Sequence, residues 1–259
     1  MNIMGSFAKY LPPLSLKIVF NDRKKAGQIL GNNLKRKFRK DRENNSNRVN
    51  SLIVVGIPRG GLVVGNEVAK VLNCDLDLIN PVRVLAENEE ATLGSVLVID
   101  KPPEPYDFDL NDYRSNFLIY LNDSSGEKYF NSKKAEIMKE ILLKSAKYDY
   151  VTRKSIKGKT VILVDDGVYS GASAIAALRW MRTQEPQELI FAAPIAPSNI
   201  MHGIGKDSKI LLNHAEVLMI RPSTEFRTVD YYYKNFEDIS DNHIKGIIRS
   251  NIMNSPRWK

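Results

Sequence analysis

Apolar residues recur along the chain in two rhythms. Short uninterrupted runs, Ser51–Gly56 (Ser-Leu-Ile-Val-Val-Gly) and Thr160–Val164 (Thr-Val-Ile-Leu-Val), read as strands covered on both faces. Leu76–Val84, Gly94–Asp100, Glu188–Pro194 and Glu216–Ile220 read as further strands. Between them, apolar positions fall three or four apart. Ala26, Ile29, Leu30, Leu34 and Phe38 would share one face of a helix capped by Asn21 or Asp22. Val63–Leu72 reads as a second helix. Ala172 to Thr183 reads as a third, with Ala174, Ala177, Leu178 and Met181 facing inward. This alternation predicts an α/β fold, an open, mainly parallel sheet flanked by helices. In such a sheet the ligand is expected at the carboxyl ends of the strands.

One stretch departs from the rhythm. Lys101-Pro102-Pro103-Glu104-Pro105 breaks regular structure, and Asp107–Asp123 is polar and aromatic. Ser132–Lys147 then predicts an exposed helix with Ala135, Met138, Ile141 and Leu142 on its inner face. We read 1–259 as one domain, with 101–150 as an excursion from the core. The tyrosine-rich tail, 222–248, is expected to fold back and form a small hood together with an N-terminal strand. No internal repeat interrupts the reading.

Composition narrows the class. Hydrophobic residues make up 43% of the 259 residues and charged residues 26%, ordinary values for a soluble globular protein. No apolar run reaches the roughly 18 residues needed to cross a bilayer, and Met1–Phe20 lacks the layout of a signal peptide. Cys74 is the only cysteine, which excludes an intramolecular disulfide and a thiolate metal cluster. A cytoplasmic protein with no membrane partner is the expectation. The net charge of +8 points weakly to anionic partners. Much of the excess lies in Lys35-Arg36-Lys37-Phe38-Arg39-Lys40-Asp41-Arg42, which reads as a solvated helix end, with a nucleic-acid patch as the less favoured alternative.

The chemistry concentrates in Thr160–Ser173. A buried strand ends in two carboxylates, Asp165 and Asp166, and the small residues Gly167-Val168-Tyr169-Ser170-Gly171-Ala172-Ser173 open a helix. Backbone N–H groups of such a loop, with a helix N-terminus behind them, form a nest for an anion. Two carboxylates beside a phosphate nest make sense if the ligand also presents sugar hydroxyls or a bound Mg²⁺. Other phosphate motifs fail. Gly56-Ile57-Pro58-Arg59-Gly60-Gly61 is followed by Leu62 and Val63 where a P-loop needs Lys and Ser or Thr. No Gly-x-Gly-x-x-Gly occurs. Gly167-Val168-Tyr169-Ser170-Gly171 has the wrong spacing for a nucleophilic serine.

Four apolar residues, two acidic ones and a run of small or hydroxylated residues opening a helix are the signature of the type I phosphoribosyltransferases, and Val161–Ser173 resembles it at every class of position. The resemblance extends to a subgroup of bacterial and archaeal members through Phe20-Asn21-Asp22-Arg23, Pro58-Arg59-Gly60-Gly61, Ala193-Pro194-Ile195-Ala196-Pro197 and Pro222–Val229. It implies binding of 5-phosphoribosyl-1-pyrophosphate with Mg²⁺ and transfer of phosphoribose to a nitrogenous base or amine. On that resemblance, Asp165 and Asp166 would contact the ribose hydroxyls, directly or through hydrated Mg²⁺. Gly167–Ser173 would hold the 5′-phosphate, and Arg59, Gly60 and Gly61 the pyrophosphate. It also implies a cis peptide at Pro58–Arg59, and a homodimer is the expected assembly.

Two departures stand out. The subgroup carries an Arg-Lys pair after its second strand, where this chain has only Arg83. Hypoxanthine-guanine enzymes place an aspartate where Tyr169 stands, so those purines are expected to be poor acceptors. Phe226, Tyr231, Tyr232, Tyr233 and Phe236 are either an aromatic lid over a planar base or ordinary packing. His202, His214 and His243 are scattered, and Asp107, Asp109 and Asp112 lie in a Pro-rich loop, so neither group suggests a metal site. A ligand sensor that keeps the phosphoribosyl site and binds RNA, DNA or a partner protein is the alternative to an enzyme.

Overall fold

The computed structural model describes residues 20–44, 51–87, 91–99, 117–146, 154–206, 214–221 and 224–253. Its centre is a sheet of five parallel strands: β1 (Leu52–Gly56), β2 (Asp75–Leu78), β6 (Thr160–Val164), β7 (Glu188–Pro197) and β8 (His214–Arg221). The spatial order is β2-β1-β6-β7-β8. The chain therefore leaves β1 toward one edge and returns on the other side of it, which makes the β1/β6 junction a topological switch point.

Alternate residues explain why both faces are buried. Ile53, Val55, Val161, Leu163, Leu189 and Phe191 pack beneath α5 (Ala172–Thr183) through Ala174, Ala177, Leu178 and Met181. Val54, Ile162, Val164, Ile190 and Ala192 face the other way. There they meet Leu30 and Leu34 of α1 (Arg23–Asn44), Leu62, Val64 and Val68 of α2 (Gly60–Leu72), and Ile244 of α7 (Asp241–Met253). The predicted parallel sheet is thus confirmed, and the inward face of α5 is as read. Asp22 caps α1 by accepting from Lys25 N–H at 2.7 Å. Ile29, expected inside, is 38% exposed: α1 buries the narrower stripe Ala26–Leu30–Leu34, and Phe38 is only partly covered. The basic positions Lys35, Arg36, Arg39 and Lys40 lie on the outer part of the same helix.

The apolar run Leu76–Val84 is two strands rather than one. After Ile79 N–H bonds to Gly56 O at 3.1 Å, the chain leaves the parallel sheet at Asn80-Pro81. Pro81 has no N–H to give a ladder and so begins a new strand. That strand, β3 (Pro81–Leu85), joins β4 (Thr92–Val98) and β5 (Phe117–Leu121) in an antiparallel sheet of order β3-β4-β5. Val82, Val84, Val96 and Val98 on one face meet Phe130 of α3 (Ser124–Ser132) and Met138, Ile141 and Leu142 of α4 (Lys134–Ala146). The single helix expected over Ser132–Lys147 is therefore α4 preceded by α3, and Asp123 caps α3 through Ser125 and Gly126 N–H. Ala135 is exposed, and Ile137 packs against the cluster in its place.

The other face of the small sheet lies against α5. Leu97 joins the core beneath it, and the Arg179 guanidinium sits 4.7 Å from the Tyr120 ring centre. From the tail, Tyr232 and Tyr233 are buried together with Phe20 and Ile195, and Phe20 bridges Tyr233. The strand expected before Phe20, and Asp107, Asp109 and Asp112, lie outside the described residues. Among the described residues no helix is long and apolar enough to cross a membrane. A short helix, α6 (Ser198–Lys206), follows β7 and has no counterpart among the elements the sequence predicts.

Candidate active site

Two loops leave the carboxyl ends of β1 and β6 side by side and wall a cavity of about 510 Å³. Ile57, Pro58, Arg59 and Gly60 line it from β1, and Asp165 to Gly171 with Ser173 and Ala174 from β6 and α5. Arg83 reaches in from β3, and Thr228, Val229 and Phe236 from the tail. Of the residues expected at the site, Arg59, Gly60, Arg83, Asp165, Asp166, Gly167, Val168, Tyr169, Ser170, Gly171 and Ser173 share this one cavity. Gly61 and Ala172 are buried just behind it, each within the first turn of its helix.

The Pro58–Arg59 peptide is cis, as the family resemblance implies. Beyond it the chain runs against the acidic pair with no room for a side chain. A Cβ on Gly60 would lie 1.8 Å from Asp166 Oδ2, and one on Gly61 would lie 2.7 Å from Asp165 Cα. The two glycines are what let the first loop touch the second.

Both helices that point at the cavity begin without a side-chain cap. Arg59 precedes α2 and Gly171, at φ +76°, precedes α5; neither helix has an acidic residue in its first turn. The partial positive charge of each N-terminus is therefore left for an external anion. Ser170 Oγ lies 3.4 Å from Ala172 N, and Val168 N–H holds the loop to Ile195 O at 2.9 Å. The cavity thus has an anion-receptive helix end on either side and two carboxylates between.

Those carboxylates differ. Asp165 Oδ1 accepts from Asp166 N–H at 2.9 Å, and dense surroundings push its pKa well above the usual carboxylate range. Burial is the main cause, the neighbouring Asp166 charge adds to it, and Arg83 opposes it. Asp166 instead has a direct cationic partner: Arg23 Nε donates to its Oδ2 at 2.7 Å, with side chains 12% and 15% exposed. Arg23 Nη1 also donates to Glu237 O at 2.8 Å, and its guanidinium lies 3.5 Å from the Phe236 ring centre. Tyr233 Oη donates to Asp166 O at 2.6 Å, and burial keeps this phenol protonated well beyond the ordinary tyrosine range. Arg59 Nη1 donates to Ile239 O at 2.8 Å.

The aromatic residues separate into two groups. Tyr169 is 57% exposed at the mouth, with its ring centre 6.3 Å from that of Phe226. Tyr232 is 3% exposed, packs on Phe226 at 5.4 Å and accepts from Arg227 N–H, so its ring belongs to the hood core and not to the cavity lining. Arg23 carries no functional assignment from the sequence. A signal is there nonetheless: three cations, Arg23-Lys24-Lys25, open α1 where the helix dipole disfavours positive charge.

Among the described residues, no group of three or more His, Cys, Asp or Glu side chains could hold a metal by itself. Two adjoining carboxylates nevertheless suit Mg²⁺, which keeps several waters and is commonly shared between one or two carboxylates and substrate phosphates.

Known proteins place this architecture. A family model described as a phosphoribosyl transferase domain matches residues 21–234. Two curated relatives from Mycobacterium tuberculosis, each named "Putative phosphoribosyl transferase" (MT0597 and Rv0571c), are 25% identical over 245 residues. The match covers 87% of this chain and 45% of theirs, so the chain spans about half the length of the curated relatives it matches. Among solved structures, TT1426 from Thermus thermophilus aligns with a TM-score of 0.62 at 25% identity, covering 90% of this chain and 99% of that one.

Proposed function

The chain belongs to the phosphoribosyl transferase family, and from that premise we propose that it binds 5-phosphoribosyl-1-pyrophosphate with Mg²⁺ and transfers phosphoribose to a nitrogenous acceptor. One observation carries the reading: two uncapped helix N-termini flank an acidic pair in a single cavity at the switch point of the sheet. The proposed substrate has the complementary layout, a phosphate at one end, a pyrophosphate at the other and a diol between.

In the reaction the bond from ribose C1 to the pyrophosphate oxygen breaks and a bond from C1 to the acceptor nitrogen forms. Pyrophosphate departs with the bonding pair, and the acceptor loses a proton or redistributes charge. Gly167–Ser173 hold the 5′-phosphate at the start of α5. Asp165 and Asp166 accept from the ribose hydroxyls, which orients C1 and places negative charge near a centre that becomes cationic. Arg59, Gly60 and Gly61 receive the departing pyrophosphate at the start of α2, with Arg83 across the cavity. Mg²⁺, when bound, neutralises charge on the leaving group. The contribution of these residues is orientation and fixed charge, with no covalent intermediate on the protein.

The test is calorimetric titration with the pyrophosphate substrate, with and without Mg²⁺, on the parent and on Asp166→Asn. Mg²⁺-dependent binding by the parent and markedly weaker binding by the variant are expected. Equal binding by both, or none by the parent, would refute the assignment.

A further inference from the structure

Arg23 stands behind the cavity wall and does not line it, yet it is tied to the site more completely than to its own helix. We propose that Arg23 is a positioning residue of the phosphoribosyl site, which sets the orientation of the Asp166 carboxylate toward the ribose hydroxyls. The inference rests on the reading of Asp166 as a ribose-facing group.

Three contacts define the guanidinium: Nε to Asp166 Oδ2 at 2.7 Å, Nη1 to Glu237 O at 2.8 Å, and its face 3.5 Å from the Phe236 ring centre. Together they fix the plane of the fork, so the carboxylate it holds has one orientation. Two further contacts close in on Asp166. Tyr233 Oη donates to its carbonyl at 2.6 Å, and Gly60 lies so near that a Cβ there would fall 1.8 Å from Oδ2. With Oδ2 engaged by Arg23, the proposal assigns Oδ1 to the ligand.

A purely structural role explains this arrangement less well. Arg23 opens α1, where the helix dipole disfavours a cation and the cap carboxylate, Asp22, already accepts from Lys25 N–H at 2.7 Å. Its ion-pair partner is a carboxylate 143 residues away, in the segment that lines the cavity. A surface arginine with the same helix position would point to solvent, whereas this one is 12% exposed.

The proposal separates two ligands that occupy different ends of the cavity. Ribose 5-phosphate needs the Asp166 end; inorganic pyrophosphate needs the Arg59 end. We expect Arg23→Gln to weaken ribose 5-phosphate binding by about tenfold or more, the scale of a lost charge-assisted hydrogen bond. Pyrophosphate affinity should change by less than about threefold, within the ordinary scatter of non-contacting substitutions. Arg23→Lys, which keeps the charge without the fork, should fall between, and it serves if Arg23→Gln does not fold. Both ligands are titrated in the presence of MgCl₂, with thermal midpoints recorded alongside.

The decisive arm is a double-mutant cycle with Asp166→Asn. If Arg23 acts through Asp166, Arg23→Gln should add little to the loss already caused by Asp166→Asn. Equal weakening of both ligands with a lowered midpoint, additive losses in the cycle, or unchanged ribose 5-phosphate affinity would each overturn the proposal. A parent that binds neither ligand would instead remove the site assignment from which it starts.

Discussion

Gly60 and Asp166 meet so closely that a methyl group on the glycine would fall 1.8 Å from the carboxylate oxygen held by Arg23. Gly60 is the first residue of α2 and has no positive φ, so alanine is compatible with its backbone. Gly60→Ala should nonetheless destabilise the fold by about 1–3 kcal/mol, because the added methyl overlaps the Asp166 carboxylate and strains its pair with Arg23. It should also push Asp166 away from Arg23 and cost more than about tenfold in phosphoribosyl pyrophosphate affinity. Thermal melts by circular dichroism and calorimetric titration measure the two effects separately. Unchanged affinity would show that the apposition does not matter to binding.

Asp165 predicts a pH dependence of stability. Its folded pKa lies well above the value of 3.8 for an unperturbed aspartate, because burial and the Asp166 charge disfavour ionisation. Between those two values the folded state holds more protons than the unfolded one, so this group lowers stability as pH rises through the window. Replacing it with asparagine, which keeps an acceptor for Asp166 N–H, should raise the melting temperature at neutral pH by about 2–6 °C. The gain should shrink as pH falls and vanish below about pH 4, where the aspartate is neutral in both states. Melting curves of the ligand-free protein from about pH 4 to 8 check the sign. Ligand affinity should fall in the same variant.

Tyr169 predicts something about the acceptor. Its ring is 57% exposed at the cavity mouth beside Phe226, a position where it can border an incoming base. A phenol is a poorer proton acceptor than a carboxylate would be at this position. Hypoxanthine and guanine should therefore be poor acceptors. Steady-state release of pyrophosphate with each purine checks this, and turnover near ~10 s⁻¹ with either would overturn it.

The parts of this fold that are legible in the sequence are those whose determinants are local. Val161–Ser173 carries strand, acidic pair, loop and helix start in consecutive residues, and the structure places them in that order. The break at Asn80-Pro81 escapes a reading by pattern, because the apolar run of Leu76–Val84 continues across it while the chain changes sheets. Phe117–Leu121 is hidden within a stretch that reads as polar and aromatic, although its own apolar run forms β5. The choice between Tyr169 and Tyr232 as a ring facing the ligand is beyond periodicity. The 3₁₀ turn Val229–Tyr232 directs the second tyrosine into the hood core. Arg23 is the hardest case: it stands in the Phe20-Asn21-Asp22-Arg23 motif, but its partner is 143 residues distant and no local pattern names it.

The ties that shape the cavity span 143 residues from Arg23 to Asp166, 180 from Arg59 to Ile239 and 67 from Tyr233 to Asp166. Contacts of such high order are reached only after the loop-closure entropy of the intervening chain has been overcome. The switch-point loops can therefore meet only once β1 and β6 have paired, and their outer wall only once the tail has crossed back over them. No contiguous fragment holds the cavity, even one that keeps the whole Val161–Ser173 segment. Ligand affinity is for this reason coupled to the folding equilibrium of the entire domain. A ligand that binds here stabilises the N-terminal helix, the central sheet and the tail together by mass action. The site acts as a clasp between the N-terminal helix and the tail.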